Sequence, residues 1–151
     1  MSTLVFPAWV RDQVLQQHDE LRALLQILAD TFTDPLGPDE RSPERLTTAG
    51  RDLCARFRAH LAFEDEALKP VLAVLDSWGP ERVRGLEEDH KRQRRRIDSV
   101  VATLESSCDL GEVSLALCDL VEDLRRDMED EEQGCLRAAG MSDALLTVER
   151  R

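Results

Sequence analysis

Residues 60–70 read HLAFEDEALKP. His60 and Glu64 stand four residues apart, so a helix would place their side chains one turn apart on one face. Phe57 precedes this pair by three residues and Leu68 follows it by four, and such steps of three and four are typical of the buried face of an amphipathic helix. The pattern therefore places an imidazole and a carboxylate where a helix should face a hydrophobic core.

Loop-forming residues divide the chain around this segment. Clusters of Gly, Pro, Ser and Asp occur at residues 33–38, 77–80 and 106–111. Pro70 is expected to kink its helix or to end the regular part near Lys69, because proline lacks the backbone N–H. The predicted helices are 8–32, 43–75, 80–105 and 112–138. Four helices of similar length with short connections predict an all-α fold, an antiparallel up-down-up-down four-helix bundle.

The length and composition agree with one helical domain. With 151 residues we expect a single domain over residues 1–151, with a core at 8–138 and a short tail at 139–151. The tail is expected to carry one or two helical turns near residues 144–148. Aromatic residues make up only 4% of the chain and tyrosine is absent, so sheet-forming residues are scarce.

Charge and hydropathy exclude several classes of partner. The formal net charge of −11 disfavours binding to nucleic acid and to anionic membranes. No apolar run approaches the roughly 20 residues of a membrane span, and residues 1–10 do not resemble a secretory signal. The four cysteines contain no CxxC pair and are expected to be free thiols. We therefore expect a cytoplasmic protein.

Steps of three and four residues define one core-facing stripe on each predicted helix. On the third helix this stripe is expected to run through Ile97, Val101 and Leu104. Each stripe also contains polar residues near the middle of its helix, where the helices of an antiparallel bundle meet at one level. These six residues, which include all three histidines of the chain, are His18, His60, Glu64, His90, Asp127 and Glu131.

A layer of three imidazoles and three carboxylates is expensive to bury without compensation. On the stripes only Arg94 could serve as a cationic partner. Two divalent cations would neutralise the carboxylates directly, and six side chains are enough to ligate two metals with an open position. Imidazole suits iron, copper or zinc, and carboxylate oxygen suits iron or manganese.

Simpler interpretations exist for each part of the pattern. A lone buried histidine such as His18 is usually just hydrogen-bonded. A His–Glu pair one turn apart is common on exposed helices, and the acidic run 127–132 would usually be a solvated face. The joint occurrence of all histidines on four helices at one level favours a metal site.

The same residues resemble the hemerythrin-like (HHE cation-binding) family. That family carries a histidine on the first helix, HxxxE on the second, a histidine on the third and HxxxE on the fourth. The matches here cover roughly residues 8–138, and the fourth element reads DMEDEE at 127–132. Asp127 thus stands where the family usually has histidine. A shorter oxygen donor there could still ligate, or could leave a weakened or single-metal site.

The resemblance implies a non-haem di-iron centre, oxo- and carboxylate-bridged, held by the six residues. It also implies binding or reaction with a small species such as O2, NO or peroxide. We expect Leu21, Leu25, Phe57, Phe63 and Leu124 to help line the ligand pocket.

The alternatives are an iron-binding or sensor module without catalysis, and a helical interaction protein with a vestigial site. A ferritin-like centre ranks lower, because only Glu87 and His90 form an ExxH element. Glu87 could also orient His90, although a solvated Glu87 is the simpler interpretation. Whether the protein is an enzyme stays open, and no catalytic residue or protein partner is assigned.

Overall fold

Five α-helices form four rods in a bundle. The computed structural model describes residues 2–32, 42–138, 141 and 146–149. The helices are α1 (Pro7–Phe32), α2 (Ser42–Phe63), α3 (Lys69–Leu75), α4 (Gly79–Ser106) and α5 (Leu110–Gln133), and a 3₁₀ turn covers Cys135–Arg137. The second rod consists of α2, a π-helical turn (Glu64–Leu68) and α3. The all-α four-helix bundle is confirmed. Within the described ranges, none of the helices combines the length and apolar character that a membrane span requires.

Two short strands join the ends of the chain. Strand β1 (Ser2–Val5) pairs antiparallel with β2 (Leu146–Glu149), with Ser2 opposite Glu149 and Val5 opposite Leu146. The predicted helical turn near residues 144–148 is therefore wrong for residues 146–148, and residues 144–145 lie outside the described part. The pairing supplies backbone hydrogen bonds that a short isolated helix could not retain. The first loop, at residues 33–38, also lies outside the described residues.

The bundle has two apolar clusters with a polar layer between them. Along each rod, a polar residue of this layer lies between an apolar residue that belongs to the large cluster and one that belongs to the small cluster. The large cluster includes Leu21, Leu61, Ile97 and Met128, and the small cluster includes Val14, Leu68, Leu86 and Leu136. The residues in between are His18, Glu64, His90 and Glu131. The third stripe runs through Val100, which is buried, rather than Val101, which is only partly buried and packs against the edge of the large cluster.

The break near Pro70 takes the form of a π-helical turn. The backbone N–H of Lys69 donates to the carbonyl of Glu64, five residues earlier. Pro70 has no N–H to donate, and its ring would crowd the carbonyl of residue 66 in a regular α-helix. Widening the preceding turn relieves this crowding. Regular α-helix therefore ends at Phe63, six residues earlier than the expected position near Lys69, and the π turn begins at Glu64.

Candidate metal centre

Three histidines from three rods are buried in the polar layer. His18 on α1, His60 on α2 and His90 on α4 are 0%, 5% and 1% exposed. The rings of His18 and His60 meet edge to face, with centroids 5.0 Å apart, and the rings of Phe57 and His60 meet in the same way, with centroids 5.5 Å apart. Close packing of this kind restricts the ring rotamers. The imidazoles are therefore held in fixed positions before any ligand arrives.

The inner nitrogens of the three rings lie around two carboxylates, Glu64 and Glu131. The Glu64 carboxylate lies 2.7 Å from His60 Nε2 through Oε1 and 2.8 Å from His90 Nε2 through Oε2. His18 Nε2 lies 3.9 Å from Glu64 Oε1 and 3.2 Å from Glu131 Oε1. Ligand atoms of His18, His60, Glu64 and Glu131 all lie within 4.8 Å of one another. This is a compact mixed nitrogen and oxygen donor set.

The outer nitrogens are held by oxygen acceptors outside the layer. Each Nδ1–H can donate to a side-chain oxygen, so a metal that replaces the proton on Nε2 would meet an Nε2 lone pair directed at the centre. The three contacts are His18 Nδ1 to Glu132 Oε1 (2.8 Å), His60 Nδ1 to Gln17 Oε1 (2.8 Å) and His90 Nδ1 to Asp65 Oδ1 (2.7 Å). An outer acceptor of this kind fixes the orientation of a metal-binding imidazole and increases its basicity.

Arginines hold two of these outer acceptors in turn. Arg22 Nη1 lies 2.8 Å from Glu132 Oε1, and Arg94 Nη2 donates to Asp65 Oδ2. Each arginine neutralises a carboxylate that would otherwise add to the negative charge of the layer. Arg94, the one cation on the predicted stripes, therefore acts from the edge of the site through Asp65.

Burial and neighbouring charges shift the pKa values of the layer in opposite directions. Burial opposes protonation of His18 and His90, but contacts with Glu131 and Glu64, respectively, raise the pKa of each imidazole. Burial also opposes ionisation of Glu64, but the close contacts with His60 and His90 hold the pKa of that carboxyl below its ordinary value. Burial, together with the charge of Glu64, raises the pKa of Glu131.

Three buried nitrogen and oxygen atoms of the layer make no hydrogen bond of good geometry with any residue that the structure describes. They are His18 Nε2, Glu64 Oε1 and Glu131 Oε1. The 2.7 Å contact of Glu64 Oε1 with His60 and the 3.2 Å contact of Glu131 Oε1 with His18 lack that geometry. Buried polar atoms are normally hydrogen-bonded, so a group of unsatisfied ones needs an explanation. A cation among them would satisfy all three together, and its charge would offset the two carboxylates. The residues present therefore fit a metal ion.

Asp127 lies at the margin of this group. Its side chain is 12% exposed, and its Oδ1 accepts a hydrogen bond from Arg92 at 3.1 Å. Asp127, His90 and Glu131 line a cavity of about 230 Å³ between α4 and α5, together with the buried side chain of Gln93. Oε1 of Gln93 has no hydrogen-bond partner.

Of the five residues expected to line an apolar pocket, one lines a cavity in the layer. Leu21, although buried in the large cluster, lines a cavity of about 260 Å³ together with His60. Leu25, Phe57 and Leu124 are buried within the large cluster, and Phe63 packs against the small cluster and meets the ring of Trp9. None of the five lines the cavity beside His90, whose wall is mostly polar.

The orienting partners of the histidines could not be chosen from the sequence. Glu87 does not orient His90, since its Oε1 pairs with Lys69 Nζ at 2.6 Å on the surface. The true partner, Asp65, directly follows Glu64 in the chain, and Glu132 directly follows Glu131. A second acidic residue next to a candidate ligand was the available signal, but acidic neighbours are common on any helix in this chain.

Comparison with protein families agrees with this geometry. The model of the hemerythrin HHE cation-binding domain matches residues 10–139. The chain belongs to this family. The match spans all four rods, and the buried His/Glu cluster of this HHE domain lies where a metal cation could be held. No curated protein and no solved structure matches the chain.

Proposed function

We propose that this HHE domain binds a non-haem di-iron centre and uses it to bind or transform a small species such as O2, NO or peroxide. The observation that carries the proposal is the convergence of the Nε2 atoms of His60 and His90 on the two oxygens of Glu64. His18 Nε2 lies beside them, 3.2 Å from Glu131 and 3.9 Å from Glu64, and the Nδ1 atom of each ring is held outside the layer. Neutral imidazole and carboxylate together suit iron among the common metals. Family membership supports a cation at this position.

The layer offers ligands for two neighbouring metal positions. His18, His60 and Glu131 would serve one position, because their ligand atoms cluster around Glu64 Oε1. His90, which contacts Glu64 Oε2, would serve the other together with Asp127. Glu64 would contribute to both positions, since one of its oxygens contacts His60 and the other contacts His90. Asp127 would have to leave Arg92 or share its carboxylate with it.

An iron pair would supply redox-active open positions that the side chains themselves lack. The chain supplies access and orientation. The 230 Å³ cavity beside His90 and Glu131 is large enough for a diatomic molecule or peroxide and reaches these two side chains of the layer. Gln93, buried and without a partner for Oε1, offers an amide that can hydrogen-bond a small polar species there.

A one-metal site is the second candidate, and a specific contact favours it. Asp127 is paired with Arg92 and lies outside the group of four clustered residues. If that ion pair persists on metal loading, the position beside His90 lacks its carboxylate. One metal would then be held by His18, His60, Glu64 and Glu131.

The direct test is the metal content of protein purified without an affinity tag. We expect about two iron atoms per chain for the di-iron centre and about one for the second candidate, by elemental analysis after anaerobic iron loading. Glu64→Gln should lose most of the bound iron. Glu66→Gln is the matched control, because Glu66 lies in the same π turn but is exposed. Equal iron in both variants, or none in the wild type, would refute a metal centre at Glu64.

Reactivity is tested separately on the loaded protein. Addition of O2, NO or hydrogen peroxide should change the visible absorption of iron-loaded wild-type protein but not of Glu64→Gln. Consumption of peroxide over many turnovers would indicate catalysis, whereas one equivalent of spectral change would indicate binding. An iron-loaded protein that responds to none of the three would contradict the small-molecule part of the proposal.

A further inference from the structure

A cleft lined by arginines lies between α1 and α5, on the outer side of Glu132. Its volume is about 900 Å³, within the range of small-molecule sites. The apolar side chains in its wall are few, and most of the wall is charged or amide-bearing. The residues that carry the charge are Arg11, Arg22, Arg125, Arg137, Glu129 and Glu132.

The charge of this cleft is opposite to that of the chain. Four guanidinium groups and two carboxylates line it, whereas the whole sequence has a formal net charge of −11. Arg11 and Arg22 have acidic neighbours, Asp12 and Glu132. Arg125 and Arg137 have no ion pair or hydrogen bond within the part of the chain that the structure describes. An anion approaching an otherwise acidic surface would be attracted selectively here.

We propose that this cleft is a binding site for a small, multiply charged anion bearing carboxylate or phosphate groups. Guanidinium groups bind both chemistries with paired, charge-assisted hydrogen bonds. The anion would contact Arg125 and Arg137 first, because neither guanidinium group has to leave an existing ion pair. The volume fits a small molecule, and the strong negative charge elsewhere on the chain disfavours nucleic acid.

The cleft is connected to the metal layer by one contact chain. Arg22 lines the cleft and lies 2.8 Å from Glu132 Oε1, and the same oxygen lies 2.8 Å from His18 Nδ1. An anion that engages Arg22 competes with Glu132 for its guanidinium. The Glu132 carboxylate would then accept a stronger hydrogen bond from His18 Nδ1, and the imidazole would become a stronger electron donor, through Nε2, to a bound metal. This coupling, unlike anion binding itself, rests on the proposed metal centre.

Calorimetric titration of metal-free protein tests the site. The probes are succinate and inorganic phosphate at low ionic strength, with sodium chloride at matched ionic strength as the blank. We expect at least one of the two anions to bind. Comparison of their affinities shows whether the cleft prefers carboxylate or phosphate. The double variant Arg125→Gln/Arg137→Gln should bind at least about tenfold more weakly, a loss of about 1.4 kcal/mol.

The matched control has the same charge change outside the cleft. Arg84→Gln/Arg126→Gln removes two exposed arginines that pair with Glu81 and Asp123 and do not line the cleft. It should bind the anion as the wild type does. Glutamine keeps part of the aliphatic stem, and the circular dichroism of both variants should match the wild type. Absence of binding by either anion, or an equal loss in the two double variants, would overturn the site.

Coupling is tested on the iron-loaded protein. The preferred anion should shift the visible absorption of the wild type, and Arg22→Gln should abolish that shift. Anion binding with an unchanged spectrum would overturn the coupling and leave the anion site standing. Failure of iron binding would instead refute the metal proposal. It would leave the anion site standing, because the calorimetric test uses metal-free protein.

Discussion

Removing the carboxylate of Asp65 should weaken metal binding although Asp65 itself is not expected to be a ligand. Asp65 Oδ1 lies 2.7 Å from His90 Nδ1, and Oδ2 accepts from Arg94. Asp65→Ala leaves the ring of His90 without its outer acceptor, so the ring loses both its orientation and part of its basicity. Loss of such a partner typically costs 10–100-fold in metal affinity, which is about 1.4–2.7 kcal/mol.

The assay is a competition titration of the metal-free protein against a chromophoric chelator. Asp65→Asn should fall between wild type and Asp65→Ala, because the amide oxygen can still accept from Nδ1 but carries no charge. Asp98→Ala is the matched control. Asp98 is exposed and paired only with Arg58 in an exposed ion pair, of a kind usually worth about 0–1 kcal/mol. If Asp65→Ala is folded and binds metal as tightly as Asp98→Ala, the outer acceptor has no role in the centre.

Three further outcomes are expected. Asp127→Ala should lower iron stoichiometry toward one per chain, whereas Asp127→His should retain or strengthen iron binding. If Asp127→Ala leaves the stoichiometry, affinity and spectrum of the bound iron unchanged, Asp127 is not a ligand. Iron at 100 times its Kd should stabilise the fold by about 2.7 kcal/mol and raise Tm by about 5–10 °C, as measured by calorimetry, with no shift in Glu64→Gln. A Cβ at Gly79 would lie 2.4 Å from the carbonyl oxygen of Ala73, whereas one at Gly85 would meet nothing within 4 Å. In urea unfolding of metal-free protein, Gly79→Ala should therefore lose about 1–3 kcal/mol and Gly85→Ala should gain up to about 1 kcal/mol; equal effects would contradict the steric argument.

Helical periodicity predicted which face of each rod is buried. Val14, His18 and Leu21 follow one another at spacings of four and three, and the structure buries all three. The same rule predicted the burial of Glu64 between apolar neighbours. This works because an amphipathic helix must turn its apolar face inward, whatever its partners are.

Periodicity within one helix could not predict which side chains of neighbouring helices contact each other. The choice of Asp65 over Glu87 as the partner of His90 depends on the π turn and on Lys69, which draws Glu87 to the surface. The position of Asp127 depends likewise on Arg92, a residue of the neighbouring helix. Contacts between helices depend on their rotation and axial shift, and neither quantity is encoded in the spacing within one helix.

The pairing of the chain ends lay outside the reach of local patterns. Residues 146–149 alternate between apolar and polar side chains and residues 2–5 do not, and both segments have only four residues, too few for a pattern to predict a strand. Each is stable as a strand only because the other is present. Their separation along the chain is nearly its full length, so no local spacing relates them.

Anomalous diffraction at the iron absorption edge, from crystals of the iron-loaded protein, would locate the metal within the bundle. We expect anomalous peaks inside the bundle within bonding distance of the Nε2 atoms of His18, His60 and His90, with Glu64 between the metals if there are two. A single peak beside His18 and His60 would select the one-metal candidate. No peak in this layer, with iron found only on the surface or nowhere, would refute a metal centre at Glu64.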